Sequence, residues 1–323
     1  MITLKSATVE RWKLDNAFTI ARGSKTDVDL VVCEVTDGTH IGRGEGTPIY
    51  YEGETAELCV EAIEMRTKQN RPISREDLLE SMMEGAARNA LDSALWDLES
   101  KASGKPLWQL AGLPEPKPLI TAFTISLGEP EQMQADAAKA VEAGYQLLKV
   151  KLNGENDMAR LAAVHAGAPS ARIIADANES WDEIDILSMA IGTAQYGVEL
   201  IEQPVSAGFE DELMAVETPV PFCADESCHT SEDLDRVEGC FGVVNIKLDK
   251  TGGLTEALNL MEKARIRDLK TMVGTMLCTS LGAAPAFALA QKADWVDLDA
   301  PALLKKDREG GFTYSGGMIH PPT

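Results

Sequence analysis

Apolar and polar positions change rhythm along the chain. Near the N-terminus they alternate with period two, from Thr3 to Val9 and again from Val28 to Val35, which predicts two strands joined by the polar turn ARGSKTDVD. Residues 54–68 and 76–103 carry apolar residues at helical spacing, the second through RNALDSALWDLESKASG, and Gly104 and Pro106 stop it. The Pro-rich stretch LPEPKP at 113–118 marks a domain boundary.

Beyond it, eight short apolar runs recur: LITAFTI (119–125), QLLKVKL (146–152), RIIADAN (172–178), GVELIEQP (197–204), VPFCADES (220–227), GVVNIKLDK (242–250), KTMVGT (270–275) and DWVDLD (294–299). Each ends on a polar residue, and segments with helical periodicity such as PEQMQADAAKAVEAG separate them. Strands alternating with helices predict a parallel sheet, and eight units predict a closed (β/α) barrel. An open doubly wound sheet fits less well, because no GxGxxG follows a strand. The longest uncharged stretch, Thr271 to Gln291, is broken by Gly274, Gly282 and Pro285 and reads as strand, loop and buried helix rather than a membrane span.

Charge narrows the range of partners. Among 323 residues, 52 Asp and Glu outnumber 30 Lys and Arg, for a formal charge of −22. Such an excess of acid speaks against nucleic acid or an anionic membrane as partner. The first residues, MITLKSATVERWKL, lack the apolar core of a signal peptide, so a cytoplasmic location is expected. The six cysteines form no CxxC pair; Cys223-x4-Cys228-His229 has no second pair to complete a tetrahedral site. Reduced, buried thiols are expected.

In a barrel of this kind chemistry sits at the C-terminal ends of the strands. Those ends read Thr124, Lys151, Asp176, Glu202, Asp225, Lys247, the GTMLCTS loop, and Asp297 with Asp299. From Lys151 to Lys247 the spacings are 25, 26, 23 and 22 residues, one βα unit apiece. Asp176, Glu202 and Asp225 therefore end three consecutive strands. Three clustered carboxylates need a counter-charge, and an all-oxygen set suits a hard cation, Mg²⁺ before Mn²⁺ or Ca²⁺. Lys151 and Lys247 lie four strands apart, so they face each other across the mouth, and Lys149 points inward one layer deeper. A lysine beside a cation and another ammonium is expected to have a lowered pKa. Two opposed amines flanking a cation-held carboxylate can remove a proton from one face of its α-carbon and return one to the other. A cation holding both carboxylate oxygens would stabilise the enediolate between these steps. The chemistry predicted is racemisation or epimerisation α to a carboxylate.

LLKVKL, IIADANESW, LIEQP, CADES and VNIKLDKTGGL, together with ARGS and GAARNALDSALWDL, resemble the muconate-lactonizing subgroup of the enolase superfamily along nearly the whole chain. Lysine bases working with Mg²⁺ are that superfamily's known arrangement. Within the subgroup VDLDAP resembles the dipeptide epimerases, in which an Asp-x-Asp at the end of strand eight binds the dipeptide's ammonium. The resemblance implies a (β/α)7β barrel at 114–302 and an α+β capping domain at 1–113 completed by 303–323. It implies Mg²⁺ on Asp176, Glu202 and Asp225, and Lys151 and Lys247 as acid/base catalysts. It further implies Lys149 supporting the metal-bound carboxylate, Thr124 as a substrate contact and Asp297 and Asp299 on the ammonium. Arg22 matches an arginine associated with a substrate glutamate side chain. The implied reaction is Mg²⁺-dependent epimerisation of L-Ala-L-Glu and L-Ala-D-Glu, a step in murein peptide metabolism, in a family that commonly self-associates. Alternatives are N-succinylamino acid racemase, o-succinylbenzoate synthase, an epimerase of other dipeptides, and a non-catalytic dipeptide binder, which would have no use for two opposed bases.

Overall fold

The computed structural model describes residues 2–69, 71–214 and 216–322. The N-terminal part is an antiparallel sheet of β1 (Thr3–Ile20), β2 (Gly23–Thr36) and β3 (Ile41–Gly46), in that order. The first hairpin is longer than its sequence pattern suggests. The strands pair down to Ile20 and Gly23, with a register shift between Lys13 and Phe18, so the turn is only Ala21 and Arg22. Most of the polar segment read as a turn is strand, because Phe18, Ile20 and Val28 have a cavity wall to pack against.

Four helices follow, α1 (Ala56–Lys68), α2 (Arg75–Ser81), α3 (Ala86–Ser103) and α4 (Leu107–Leu110). The helix expected over 76–103 is thus two helices. Gly85 interrupts it at φ +129°, a backbone conformation unfavourable to any side chain. There the Glu54 carboxylate accepts the Ala86 N–H at 3.1 Å and serves the start of α3. Strand β3 was not anticipated, since its GRGEG sequence has poor strand propensity. Its glycines have a packing reason. A Cβ at Gly42, Gly44 or Gly46 would collide with the backbone carbonyl of Ala94, Ala90 or Ala86 respectively, so α3 lies directly on the strand's main chain.

The barrel is a parallel eight-stranded sheet of β5 (Phe123–Ile125), β6 (Leu147–Lys151), β7 (Arg172–Asp176), β8 (Val198–Glu202), β9 (Phe222–Ala224), β10 (Val243–Lys247), β11 (Lys270–Gly274) and β12 (Trp295–Asp297). The Ala122 N–H donates to the Val296 carbonyl at 2.8 Å and closes the ring. The run 119–125 splits, its first part forming a separate short strand, β4 (Leu119–Ile120). The connections carry α5 (Pro130–Glu142), α6 (Asp157–Gly167), α7 (Ile186–Ala194), α8 (Leu234–Val237), α9 (Leu248–Thr251), α10 (Leu254–Ile266) and α11 (Ser280–Ala290); α12 (Ala300–Leu303) follows the last barrel strand. The uncharged stretch 271–291 is strand, loop and helix as expected. No helix among the described residues is long and apolar enough to cross a membrane, and all six cysteines are free and buried.

Inside the barrel, one apolar residue per strand forms a floor: Ala122, Leu147, Ile174, Leu200, Cys223, Val243, Met272 and Trp295. Strand periodicity puts the residues two positions on in the next inward layer, and these are Thr124, Lys149, Asp176, Glu202, Asp225, Asn245, Gly274 and Asp297. Two further on come Lys151, Asn178, Lys247 and Asp299. The N-terminal sheet is fastened above. Asp249 accepts from the Thr47 N–H and from Asn89 Nδ2, both at 2.8 Å, and buried Glu45 accepts the Thr279 N–H at 2.7 Å. The C-terminal stretch divides its contacts. Leu304 bridges Leu14 and Arg308 pairs with Glu10 and Glu45, whereas β13 (Thr313–Ser315) and β14 (Met318–His320) form a sheet with β4.

Two outcomes test this packing. Gly44→Ala forces α3 off the strand and is expected to destabilise the protein by about 1–3 kcal/mol, read from the urea midpoint. Burial pushes the Asp249 carboxyl up to about 7, against about 3.9 for an unfolded Asp. Between those values the folded state holds the extra proton, so this group's contribution to stability falls as pH rises through the window. Asp249→Asn removes that slope, and its melting temperature relative to the parent protein is expected to be higher at pH 8 than at pH 5.

Candidate active site

The mouth of the barrel and the underside of the N-terminal sheet enclose a cavity of about 280 Å³. Eight of the ten residues singled out from the sequence line it: Arg22, Thr124, Lys149, Lys151, Asp225, Lys247, Asp297 and Asp299. The other two, Asp176 and Glu202, are completely buried in the layer beneath. Thr124 and Lys149 come from the middle of their strands, Arg22 from the turn between β1 and β2, and the rest from the C-terminal end of a strand or just past it.

Lys149 is the hub of the buried layer. Its ammonium lies 3.1 Å from Asp176, 2.8 Å from Glu202 and 2.9 Å from Asp297. One layer up, Lys151 donates to Asp176 at 2.6 Å and to Asn178 Oδ1 at 3.3 Å. Across the barrel, Lys247 donates to Asp225 at 2.5 Å. Fully buried Lys250 lies 2.9 Å from the other oxygen of Asp225 and donates to the carbonyls of Cys228 and Asn245. Asn245 donates to Glu202 at 2.8 Å.

These contacts split the acidities of neighbouring carboxyls. Burial raises Asp176, but Lys151 and Lys149 outweigh it and bring the group down to about 2. Glu202 is pushed up to about 8 by burial and by the charge of Asp176, which Lys149 only partly offsets. Asp225 is likewise buried, yet Lys247, Lys250 and Lys149 hold it well below the ordinary carboxylate range. For Lys247, burial acts downward and the nearby Asp225 carboxylate upward, and the carboxylate wins. That is opposite to the lowering expected from the sequence, which considered a neighbouring cation but not a direct carboxylate contact.

The donor set fits a hard divalent ion. Three buried carboxylates end adjacent strands and no thiol or imidazole competes. Glu202 Oε2 and Asp225 Oδ1 accept no hydrogen bond, since their lysine neighbours are close but not aligned for one. Among the described residues no three acidic, His or Cys side chains converge as a ready cage, because each carboxylate leans on a lysine. Exchanging those lysine contacts would free the oxygens.

Asp297 and Asp299 are engaged differently. Asp297 turns one oxygen to Lys149 and leaves Oδ1 without a partner. Asp299 accepts the Thr124 N–H at 2.7 Å and is raised to about 7 by burial and by Asp297. Arg22 reaches down from the hairpin tip to Glu179 at 2.7 Å and to Glu226, with Tyr51 under its guanidinium. Sequence reading missed Asn178, Asn245, Lys250, Glu179 and Glu226. Asn245 precedes Lys247 by two on an inward face, as Lys149 precedes Lys151, so the same periodicity could have found it. Asn178 follows Asp176 by two and was open to the same reading, whereas Lys250, Glu179 and Glu226 sit in loops or a short helix, where no repeat points to them.

Residues 1–112 match the N-terminal domain of the mandelate racemase / muconate lactonizing enzyme family, and residues 132–323 match the enolase C-terminal domain-like family. The chain is 40% identical to the L-Ala-D/L-Glu epimerase of Escherichia coli K12, over 96% of this chain and 97% of that one. It is 39% identical to an N-acetyl-D-glutamate racemase from a Pseudoalteromonas species, over 90% and 93%. An enolase family member from Agrobacterium tumefaciens, described as homologous to dipeptide epimerases and solved with sodium and L-Ala-L-Glu, superposes with a TM-score of 0.95. It is 45% identical, and the match covers 100% of this chain and 98% of that one. A dipeptide epimerase from Enterococcus faecalis V583, solved with Mg and L-Leu-L-Tyr, superposes with a TM-score of 0.90 at 30% identity, covering 99% and 97%. Barrel, cap, strand-end lysines and carboxylates accompany sequence identity along the full length: this chain belongs to the mandelate racemase / muconate lactonizing enzyme family of the enolase superfamily.

Proposed function

We propose that this protein is a Mg²⁺-dependent dipeptide epimerase, an isomerase that inverts the α-carbon of the C-terminal residue, with L-Ala-L-Glu and L-Ala-D-Glu as the substrate pair. The observation that carries the reading is the placement of Lys151 and Lys247 on strands four apart, both lining one cavity above a layer of carboxylates. Asp176, Glu202 and Asp225 would hold the ion, exchanging lysine contacts for it. When bound, Mg²⁺ supplies positive charge to the substrate carboxylate and so acidifies the neighbouring α-proton.

The chain's own groups then divide the work. One lysine, as the neutral amine, accepts the α-proton from its side, and the other, as ammonium, donates a proton from the opposite side. In the reverse direction the roles exchange. Asn178 and Asp176 fix the Lys151 amine through hydrogen bonds, and Asp225 fixes that of Lys247. Lys149, held among three carboxylates, contributes charge beneath the substrate carboxylate. Asp297 and Asp299 offer carboxyl oxygens to the dipeptide's ammonium, with Thr124 beside them. The overlying sheet excludes water from the exchanging proton.

A second reading has a specific basis. The similarity to an N-acetyl-D-glutamate racemase is nearly as high as that to the E. coli epimerase, and an N-acylated glutamate has no ammonium to present to Asp297 and Asp299. Incubation in D₂O with Mg²⁺ separates the two by NMR. Exchange at the glutamate α-position of L-Ala-L-Glu, at a higher kcat/KM than that of N-acetylglutamate, is expected. Preference for the acylated amino acid would replace the dipeptide assignment.

The two bases are tested separately. Lys151→Ala and Lys247→Ala are each expected to cut epimerisation by roughly 10²- to 10⁴-fold. Each variant should still exchange deuterium into one epimer, and the two variants should differ in which one. Exchange of both epimers by either variant would contradict the assignment of one lysine to each face. The metal assignment is read by calorimetry: Asp225→Asn is expected to weaken Mg²⁺ binding at least about tenfold.

A further inference from the structure

The lysine contacts that hold the buried carboxylates cannot also be what fixes them for an ion, because binding the ion requires those contacts to be exchanged. Something outside the exchange has to keep the three strand ends in place. The residue next to Glu202 is so situated. Gln203 follows the last residue of β8, is completely buried and lies outside the lining of the cavity, so it has no surface to offer a substrate.

Its hydrogen-bonding groups reach across strands. The side-chain Oε1 accepts the N–H of Asp225 at 2.8 Å and that of Ser227 at 3.1 Å. The Nε2 donates to the Val205 carbonyl and to the Ser227 hydroxyl, both at 2.8 Å. Two main-chain N–H groups on one side and a carbonyl on the other allow only this orientation of the amide. The main chain adds to the grip. The Gln203 N–H donates to the Cys223 carbonyl at 2.9 Å, and the Gln203 carbonyl accepts the Glu179 N–H at 2.9 Å. One residue thus joins the loop after Asp176, the strand end carrying Glu202 and the strand end carrying Asp225.

These bonds stand where the sheet gives out. The pairing of β8 with β9 ends at Glu202 and Cys223, and Asp225 lies just past β9. The Gln203 amide takes the place of a ladder partner for the Asp225 N–H. Its backbone adopts φ +37°, in the left-handed region that a non-glycine residue keeps only where its surroundings hold it there. All these partners are uncharged, so the bonds are indifferent to which cation the carboxylates face. The lysine contacts of the same carboxylates are not.

We propose that Gln203 is a positioning residue for the ion site: its side-chain amide fixes the spacing of Glu202 and Asp225 while their lysine contacts are exchanged, and so favours a small divalent ion over a larger one. This role rests on the Mg²⁺ reading above. Mg²⁺ takes oxygens at about 2.0–2.1 Å in a near-octahedral set, whereas Ca²⁺ accepts about 2.3–2.6 Å and looser geometry. Loosening the spacing therefore penalises Mg²⁺ more than Ca²⁺.

The test is a ratio of two affinities, measured by calorimetry on metal-free protein titrated with Mg²⁺ and with Ca²⁺. Gln203→Met, nearly the same shape without the amide, is expected to weaken Mg²⁺ binding about tenfold to a hundredfold. Ca²⁺ binding should weaken by roughly threefold or less, given its tolerance of geometry. Gln203→Glu keeps an acceptor for both N–H groups and should recover most of the loss. Gln203→Asn, one methylene short of Asp225, should shift the ratio as the methionine does, and it decides the matter if that variant does not fold. A Mg²⁺/Ca²⁺ affinity ratio that stays at the parent's value in the Met and Asn variants, even with a lowered melting temperature, would overturn the positioning role and leave the ion site intact. Parent protein that binds no Mg²⁺ would overturn the metal assignment and this role with it.

Discussion

Charge buried inside a barrel must be balanced on the spot. Four lysines (149, 151, 247 and 250) and four carboxylates (Asp176, Glu202, Asp225 and Asp297) stand in ion-pair contact at the top of an apolar floor. Removing water from a single unpaired ion costs several kcal/mol, so no member of this set is independent of the rest. Lys149 touches three of the four acids, which makes it the point through which their charges are coupled. The same coupling drives Asp176 and Glu202 in opposite directions although they end adjacent strands. The layer is therefore poised: firmly held in place, yet with individual oxygens ready to change partner.

Much of this was legible in the sequence because a barrel strand imposes a period of two and a βα unit imposes a near-constant spacing. An inward residue near the end of one strand fixes where its counterparts fall on the others, which is how Lys151, Asp176, Glu202, Asp225 and Lys247 could be aligned without a structure. Where no period operates, the reading failed. GRGEG reads as a loop because its strand is specified by the helix lying on it, not by its own side chains. The break at Gly85 was hidden within a continuous apolar pattern, and the division of the C-terminal stretch between two sheets is a tertiary fact. The sign of the shift at Lys247 depends on a 2.5 Å contact that no spacing reveals.

The cap and the barrel depend on each other through a well-buried polar seam, in which α3 also bonds to Thr251, Gly252 and Thr255. Asp249 and Glu45 accept main-chain N–H groups across the junction, and Arg308 ties the C-terminal stretch to β1 and β3. These contacts lie away from the hairpin tip. The junction can stay rigid while the tip is held mainly by Arg22 and its acidic partners, a polar arrangement open to exchange with solvent.

That separation has a consequence for how such a protein changes over generations. Lys151 and Lys247, the groups proposed to move protons, sit on strands whose neighbours constrain them from every side, whereas the hairpin tip touches the cavity with a handful of residues. Drift at the tip can alter which molecules are accepted without disturbing the reaction applied to them. Relatives 40%, 39% and 32% identical to this chain carry names that differ in substrate but are all those of epimerases or racemases. Under the proposed assignment of roles, a fold whose proton-moving lysines stand in the barrel while a short protruding ribbon closes the cavity is one in which new diets evolve more easily than new reactions.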